Sequence, residues 1–262
     1  MNNKYIAVFD SGIGGLTVVK ALKEILPQEN IIYFGDTLNM PYGEKNVDEI
    51  KQFAINNINF FNTFDVKAYV VACGTMTANA MDDMIHITDK PVIGVIEPSC
   101  LQAISLSINK RIGVLATPAS INSNVYENTI KGIDANIIVT SVGCEGLAKQ
   151  IELGRFTNDN LDTIELLKKY LKPLQDSNVD TIILGCTHYP LVSKLIEELM
   201  PNVKIVSCSL EEALFVKKYL MENNLLSLKH LEDKYYVSNN PKDFIKTAKL
   251  FMPEFIDEVN VK

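Results

Sequence analysis

A short apolar run that delivers a cysteine and then a threonine to its end occurs twice in this chain, and the repetition constrains the fold more than any other feature. In Asp180-Thr-Ile-Ile-Leu-Gly-Cys-Thr-His-Tyr-Pro190 the β-prone run Thr181 to Leu184 is broken by Gly185, and Pro190 stands where a following helix begins. Cys186 and His188 share that loop. The stretch Lys67-Ala-Tyr-Val-Val-Ala-Cys73-Gly-Thr75 repeats the order of apolar strand, cysteine, threonine. Loops of this kind place chemistry at the carboxyl ends of strands in an open α/β sheet.

The remaining periodicity agrees with that class. Apolar runs at 5–9, 31–34, 67–72, 91–96, 112–115, 136–140, 181–184, 203–206 and 234–237 read as strands. Between them, helical spacing or helix signals cover 16–26, 46–62, 77–86, 98–108, 119–131, a short segment containing Glu152, 161–174, 209–223 and 241–250. Strands alternating with helices imply mostly parallel sheets with both faces covered, hence a three-layer α/β architecture. The pattern restarts at Arg111, which suggests a second domain of similar build. Boundaries near 96 and 207 are expected, with 1–96 plus 208–262 as the first domain and 97–207 as the second.

Composition narrows the function. The 25 basic and 32 acidic residues leave a formal charge of -7, and no cluster of Lys or Arg is able to neutralise several phosphates on a duplex or an anionic membrane. Nucleic acid and membrane partners are therefore not expected. The five cysteines, at 73, 100, 144, 186 and 208, have no zinc-site spacing and read as reduced thiols. With no segment of signal-peptide or membrane-span character, the expected compartment is the cytoplasm.

The loop Asp10-Ser-Gly-Ile-Gly-Gly15 follows the first apolar run and precedes a helical pattern, but its glycines do not fit G-x-G-x-x-G and no Walker lysine follows. Small residues at a helix amino end instead let backbone N–H groups face an anion such as a carboxylate. Asp10 is then a charged neighbour of the reacting group, or Asp10 and Ser11 merely cap the helix. Gly35-Asp-Thr-Leu-Asn-Met-Pro-Tyr-Gly-Glu-Lys45 is rich in turn formers and carries a tyrosine, a candidate pocket wall. His86 reads as a cap or surface group.

A single cysteine after a strand is equally readable as a buried structural residue. Two matched sites on two facing domains make another reading available. Cys73 and Cys186 would approach one ligand from opposite sides, and opposed acid and base are what inversion at a carbon requires. Thiols suit the task because their unperturbed pKa of about 8.5 needs only a modest shift to reach neutrality. His188 beside Cys186, and Asp10 beside Cys73, are the candidate tuning groups.

Asp10-Ser-Gly-x-Gly-Gly-Leu-Thr17, Gly35-Asp-Thr-x-x-x-Pro-Tyr-Gly-Glu-Lys45, Ala72-Cys-x-Thr75 and Gly185-Cys-Thr-His-Tyr-Pro-Leu191 resemble the glutamate racemases of the aspartate/glutamate racemase superfamily across essentially the whole chain. The resemblance implies two pseudo-symmetric α/β domains with the active site between them, commonly a homodimer. It implies an enzyme without cofactor or metal that interconverts L- and D-glutamate and supplies D-glutamate for peptidoglycan. By position it makes Cys73 and Cys186 the acid/base thiols, Cys73 acting on the D form and Cys186 on the L form, with Asp10, Glu152 and His188 as supporting groups. Ser11, Pro41, Tyr42, Gly43, Gly74, Thr75 and Thr187 fall at substrate-contact positions.

Three places depart from the family pattern. Gly74 stands where the family has Asn, whose side chain hydrogen-bonds a substrate carboxylate. Ser99 replaces a usual Gly, and Ser207-Cys208-Ser209 replaces an Asp-Ser-Gly-like run. The segment around Glu152 follows the pattern loosely, and a solvated helix residue is the alternative there. Gly74 also keeps open an amino acid other than glutamate, such as aspartate, and a paralogue that binds without catalysis is the third reading.

Overall fold

The computed structural model describes residues 4–252, 254 and 258–262. Residues 1–3, 253 and 255–257, all within the two segments expected for the first domain, lie outside the described residues. In chain order the strands are β1 (Tyr5–Asp10), β2 (Asn30–Gly35), β3 (Val66–Val71), β4 (Val92–Gly94), β5 (Arg111–Ala116), β6 (Ile138–Gly143), β7 (Thr181–Leu184), β8 (Lys204–Ser207), β9 (Lys234–Val237) and β10 (Asn260–Val261). They form one sheet in the order β10-β9-β2-β1-β3-β4 and a second in the order β6-β5-β7-β8. Each pairing within them is parallel. We call the two halves the first and second lobes.

Burial explains the strand compositions. Every residue of β2 and β3 is buried, as central strands covered on both faces must be, and this is why they read as unbroken apolar runs rather than as alternation. Edge strand β6 has no fully buried residue and keeps a mixed composition. Three apolar clusters fill the layers. One, around Phe9, Phe34, Phe61 and Tyr69, packs one face of the first sheet, where the Phe34 and Phe60 rings meet at a tilt with centroids 5.0 Å apart. Another, around Val114, Tyr126 and Ile183, packs one face of the second sheet. The third takes Val8 and Tyr33 from the first sheet, Leu115 and Leu184 from the second, and Val216 of the helix Cys208–Glu222 into one continuous core. Burial of each large apolar side chain in such a core stabilises by about 1.5–3 kcal/mol, so the shared cluster holds the lobes face to face.

Several boundaries differ from the sequence expectation. The helix expected at 77–86 begins at Gly74, so Cys73 is its N-cap residue. The helix expected at 119–131 is two, Pro118–Asn122 and Val125–Ile133, separated where Asn124 adopts φ 57°. A left-handed residue interrupts the helix, and Asn is among the few side chains that tolerate it. The strand expected at 136–140 runs to Gly143, and the one expected at 91–96 is only Val92–Gly94 because a helix starts at Ile96. β9 is not the last strand, since the two-residue β10 pairs with it. Asn46 caps the helix Val47–Phe61 through a reciprocal capping box with Glu49. Among the described residues no helix is long and apolar enough to cross a membrane.

Candidate active site

The carboxyl ends of β1, β3, β5, β6 and β7 open onto one cavity of about 560 Å³ between the lobes. It brings together Asp10, Ser11, Pro41, Tyr42, Gly43, Cys73, Gly74 and Thr75 from the first lobe, and Glu152, Cys186, Thr187 and His188 from the second. Its position outside the carboxyl ends of parallel strands is where loops, not ladder hydrogen bonds, dictate which side chains face a ligand.

On the first lobe, Cys73 closes β3 and caps the helix Gly74–His86. The first-turn N–H groups of a helix have no partner inside it and attract negative charge. Burial nevertheless pushes the Cys73 thiol well above its ordinary pKa, and the nearby Asp10 carboxylate pushes it the same way. Hydrogen bonds from the Met76 backbone N–H and from Ser11 oppose the shift without cancelling it. Asp10 itself accepts from the backbone N–H groups of Gly15 at 2.9 Å and Gly12 at 3.2 Å. The helix Leu16–Ile25 has Gly15 at its N-cap with no side-chain cap, so Asp10 braces the glycine loop rather than capping the helix, and its carboxylate lies at the cavity. Burial raises the pKa of Asp10, with His188 and those backbone donors pulling it down.

Tyr42 lines the cavity, as the loop's composition led one to expect. Its hydroxyl donates to Asp36 at 2.6 Å, and Asn39 and Ser238 also donate to that carboxylate. Asp36 thus pins the loop that carries Pro41, Tyr42 and Gly43, and the tyrosine offers its ring and backbone rather than its hydroxyl to a ligand.

On the second lobe, Cys186 Sγ lies 3.5 Å from His188 Nδ1, and His188 Nε2 lies 2.9 Å from Glu152 Oε1. The helix Leu147–Glu152 delivers that carboxylate from the far side of the ring. Burial disfavours a charged His188, but the Cys186 thiol and the Glu152 carboxylate outweigh it and raise the imidazole well above its ordinary pKa. The ring is fixed edge-on against Phe251 at 5.8 Å. Cys186, His188 and Glu152 thus lie in one line of contacts, the geometry in which a histidine beside a thiol is oriented by a third group.

Hydroxyl contacts stitch the lobes at the cavity wall. Thr75 Oγ1 lies 2.9 Å from Thr117 Oγ1, which lies 2.9 Å from Ser120 Oγ. Thr17 Oγ1 donates across the seam to the Thr187 carbonyl, 2.8 Å away. Thr117, Cys144, Glu145 and Lys149 also line the cavity and were not singled out from sequence. Thr117 had a readable signal, a hydroxyl residue before Pro118 at the end of an apolar run, which is an N-cap pattern at a third strand end. All five cysteines are free and buried. Among the described residues no group of three or more His, Cys, Asp or Glu side chains is placed to hold a metal ion. His86 is exposed at a helix end with its ring on the Asp82 carbonyl, as a surface group should be.

The profile of the Asp/Glu/Hydantoin racemase family matches residues 14–213. The chain belongs to that family. The racemase is an enzyme of the isomerase class. It is 41% identical over 263 residues to a glutamate racemase from Thermoanaerobacter pseudethanolicus, covering 99% of this chain and 97% of that relative. Among solved structures, a glutamate racemase from Bacillus anthracis superposes with a TM-score of 0.94 at 34% identity, covering 100% of this chain and 98% of the other. The Francisella tularensis glutamate racemase, solved in complex with D-glutamate, superposes with a TM-score of 0.93 at 38% identity over 100% and 98% of the two chains. The likeness thus includes both lobes of the racemase and the seam between them.

Proposed function

We propose that this racemase interconverts L- and D-glutamate without a cofactor, Cys186 and Cys73 exchanging protons with opposite faces of the α-carbon. The observation that carries the reading is the pair of cysteines, each ending a matched strand, that line one cavity from the two lobes in opposite electrostatic surroundings. The glutamate racemases among the relatives, one of them solved with D-glutamate, support the substrate.

With L-glutamate bound, the Cys186 thiolate, stabilised by the His188 imidazolium, removes the α-proton. The neutral Cys73 thiol then gives its proton to the opposite face, leaving D-glutamate, a Cys73 thiolate and a Cys186 thiol. The reverse direction begins from that charge arrangement. Glu152 holds His188 in its tautomer and orientation. Ser11 and the first-turn N–H groups after Cys73 stabilise the charge that forms on that side, and the Asp10 carboxylate keeps Cys73 protonated until the proton is delivered. Pro41, Tyr42, Gly43, Gly74, Thr75 and Thr187 shape the substrate's seat. The racemase works in the cytoplasm as a homodimer, supplying D-glutamate for peptidoglycan, with residues 1–96 plus 208–262 and 97–207 as its two domains.

Proton NMR of L-glutamate and, separately, D-glutamate with the protein in deuterated water tests this. Loss of the α-proton signal from both enantiomers, with matching change in optical rotation, is the expected result. Gly74, which offers no side-chain donor to a carboxylate, favours aspartate as the second substrate to try. A folded protein inert toward both amino acids would overturn the racemisation chemistry proposed here.

A further inference from the structure

The first-lobe wall of the cleft meets the second lobe at three glycines. A Cβ built on Gly14 would lie 2.4 Å from the His188 ring, one on Gly43 would lie 3.2 Å from the Thr117 side chain, and one on Gly74 would lie 2.3 Å from the backbone oxygen of Gly185. The first two neighbours are side chains, the Thr117 side chain free to turn and the His188 ring held between Cys186 and Glu152. The third is backbone and is held: Tyr126 donates its hydroxyl to the Gly185 oxygen at 3.1 Å, and the Gly185 N–H donates to the Leu115 oxygen at 2.7 Å. Behind it the wall is also full, because a Cβ on Gly185 would lie 2.6 Å from the Tyr126 hydroxyl.

We infer that Gly74 is a positioning residue whose missing side chain lets the Gly185 carbonyl close against the first lobe and so sets the separation of the two thiols. The inference rests on the two-thiol reading above. Gly74 is bonded to Cys73 and Gly185 to Cys186, so the contact lies one residue from each sulfur. Ordinary contact begins near 3.4 Å, so any side chain at position 74 requires the lobes or their loops to part by roughly 1 Å there. A misplacement of about 1 Å in a reacting constellation costs on the order of 100-fold in rate. Asparagine carries the same Cβ as alanine. Installing the family's residue at this position therefore spreads this cleft instead of repairing it.

The test is the full-length protein with Gly74→Ala and Gly74→Asn, assayed with L-glutamate in deuterated water for two products, α-deuterated L-glutamate and D-glutamate. Parting the thiols leaves Cys186 able to remove the proton and return deuterium to the same face, while delivery from Cys73 fails. We expect both variants to fold, to melt below the wild type because the contact at 74 is strained, and to lose at least tenfold in kcat for inversion. We also expect a higher ratio of exchanged L-glutamate to D-glutamate. Near-normal inversion by Gly74→Ala, or a gain by Gly74→Asn, overturns the inference. Tyr126→Phe, which keeps the core volume and only frees the carbonyl, covers the case in which the Ala variant does not fold. It should lower inversion several-fold and raise the same ratio, and an unchanged ratio counts against the inference. Absence of exchange in the wild type with either enantiomer would instead strike the proposed function, before any variant is compared.

Discussion

The two cysteine loops share a backbone plan and differ in charge. Both cysteines close a central parallel strand of their sheet, and both lie at the cavity. Cys73 opens directly into a helix from Gly74 to His86 and has an acid, Asp10, as its charged neighbour, so its proton is held. Cys186 is followed by a 3-10 turn, Tyr189–Val192, and has a histidine braced by Glu152. Matched strands place two thiols symmetrically, whereas the groups packed behind them bias one toward the thiol and set a histidine of raised pKa beside the other. A two-base proton transfer needs that inequality, since one group must arrive charged and the other loaded.

The largest expected effect comes from erasing the comparison altogether. Cys73→Ser or Cys186→Ser should each cut racemisation by on the order of 10²–10⁴, the usual worth of a positioned acid or base, with melting within a few degrees of wild type. Near-normal turnover by either variant removes the two-thiol mechanism.

Removing only the brace sharpens the comparison. Glu152→Gln replaces a charge-assisted hydrogen bond to His188 with a neutral one, which should cost roughly 10- to 100-fold in kcat/KM. The enantiomers have equal free energy in water, so the loss must be equal in both directions, and the diagnostic is the pH profile. Its alkaline limb should move to lower pH, because the carboxylate no longer supports the imidazolium. A limb that stays in place would mean that Glu152 acts only as packing.

A smaller change tests the seam. Thr117→Val removes the hydroxyl that links Thr75 to Ser120, a loss of neutral hydrogen bonds worth about 0.5–1.5 kcal/mol each. Turnover should fall several-fold, with little change at the thiols themselves. A drop as large as that of Glu152→Gln would place Thr117 among the groups that touch the reacting atoms.

The mildest effect concerns stability. His188 has a folded-state pKa raised above its ordinary 6.5, so its protonation favours the fold. That contribution is complete below about 6.5 and fades as pH rises through the folded value. The melting difference between wild type and His188→Gln should therefore be greatest in mild acid and shrink under alkaline conditions. A pH-independent difference would indicate a neutral imidazole.

Legibility was uneven for reasons that can be named. The loops at Cys73 and Cys186 were readable because an apolar strand, a chain break and a polar residue are all local. The helix starts at Gly74, three residues before the start its periodicity predicts, since glycine carries no helix signal and its position depends on the strand that precedes it. The split at Asn124 leaves no mark in the sequence because periodicity continues across a single left-handed residue. Ser99 is a departure from the family pattern with a plain local account, its hydroxyl turning back to the Val95 carbonyl within its own helix. Glu212, fully buried in the helix Cys208–Glu222, has no hydrogen-bond partner among the described residues, and its burial together with the nearby Asp10 raises its pKa well above the usual carboxylate range.

By itself the sequence determined the alternation of strands and helices, the parallel sheets and the delivery of two cysteines to strand ends. These follow from hydrophobic period and chain-breaking residues, which act over a few positions. Only the tertiary structure decided that Glu152 meets His188, that the Tyr42 hydroxyl is spent on Asp36, and that Gly74 faces the Gly185 carbonyl. The first and last of these join segments tens of residues or more apart, across layers or lobes. Even the Tyr42 contact, six residues in reach, depends on a loop anchored by Ser238 from the other end of the chain. Such distances are set by how two sheets pack on a shared core, and no local pattern encodes them.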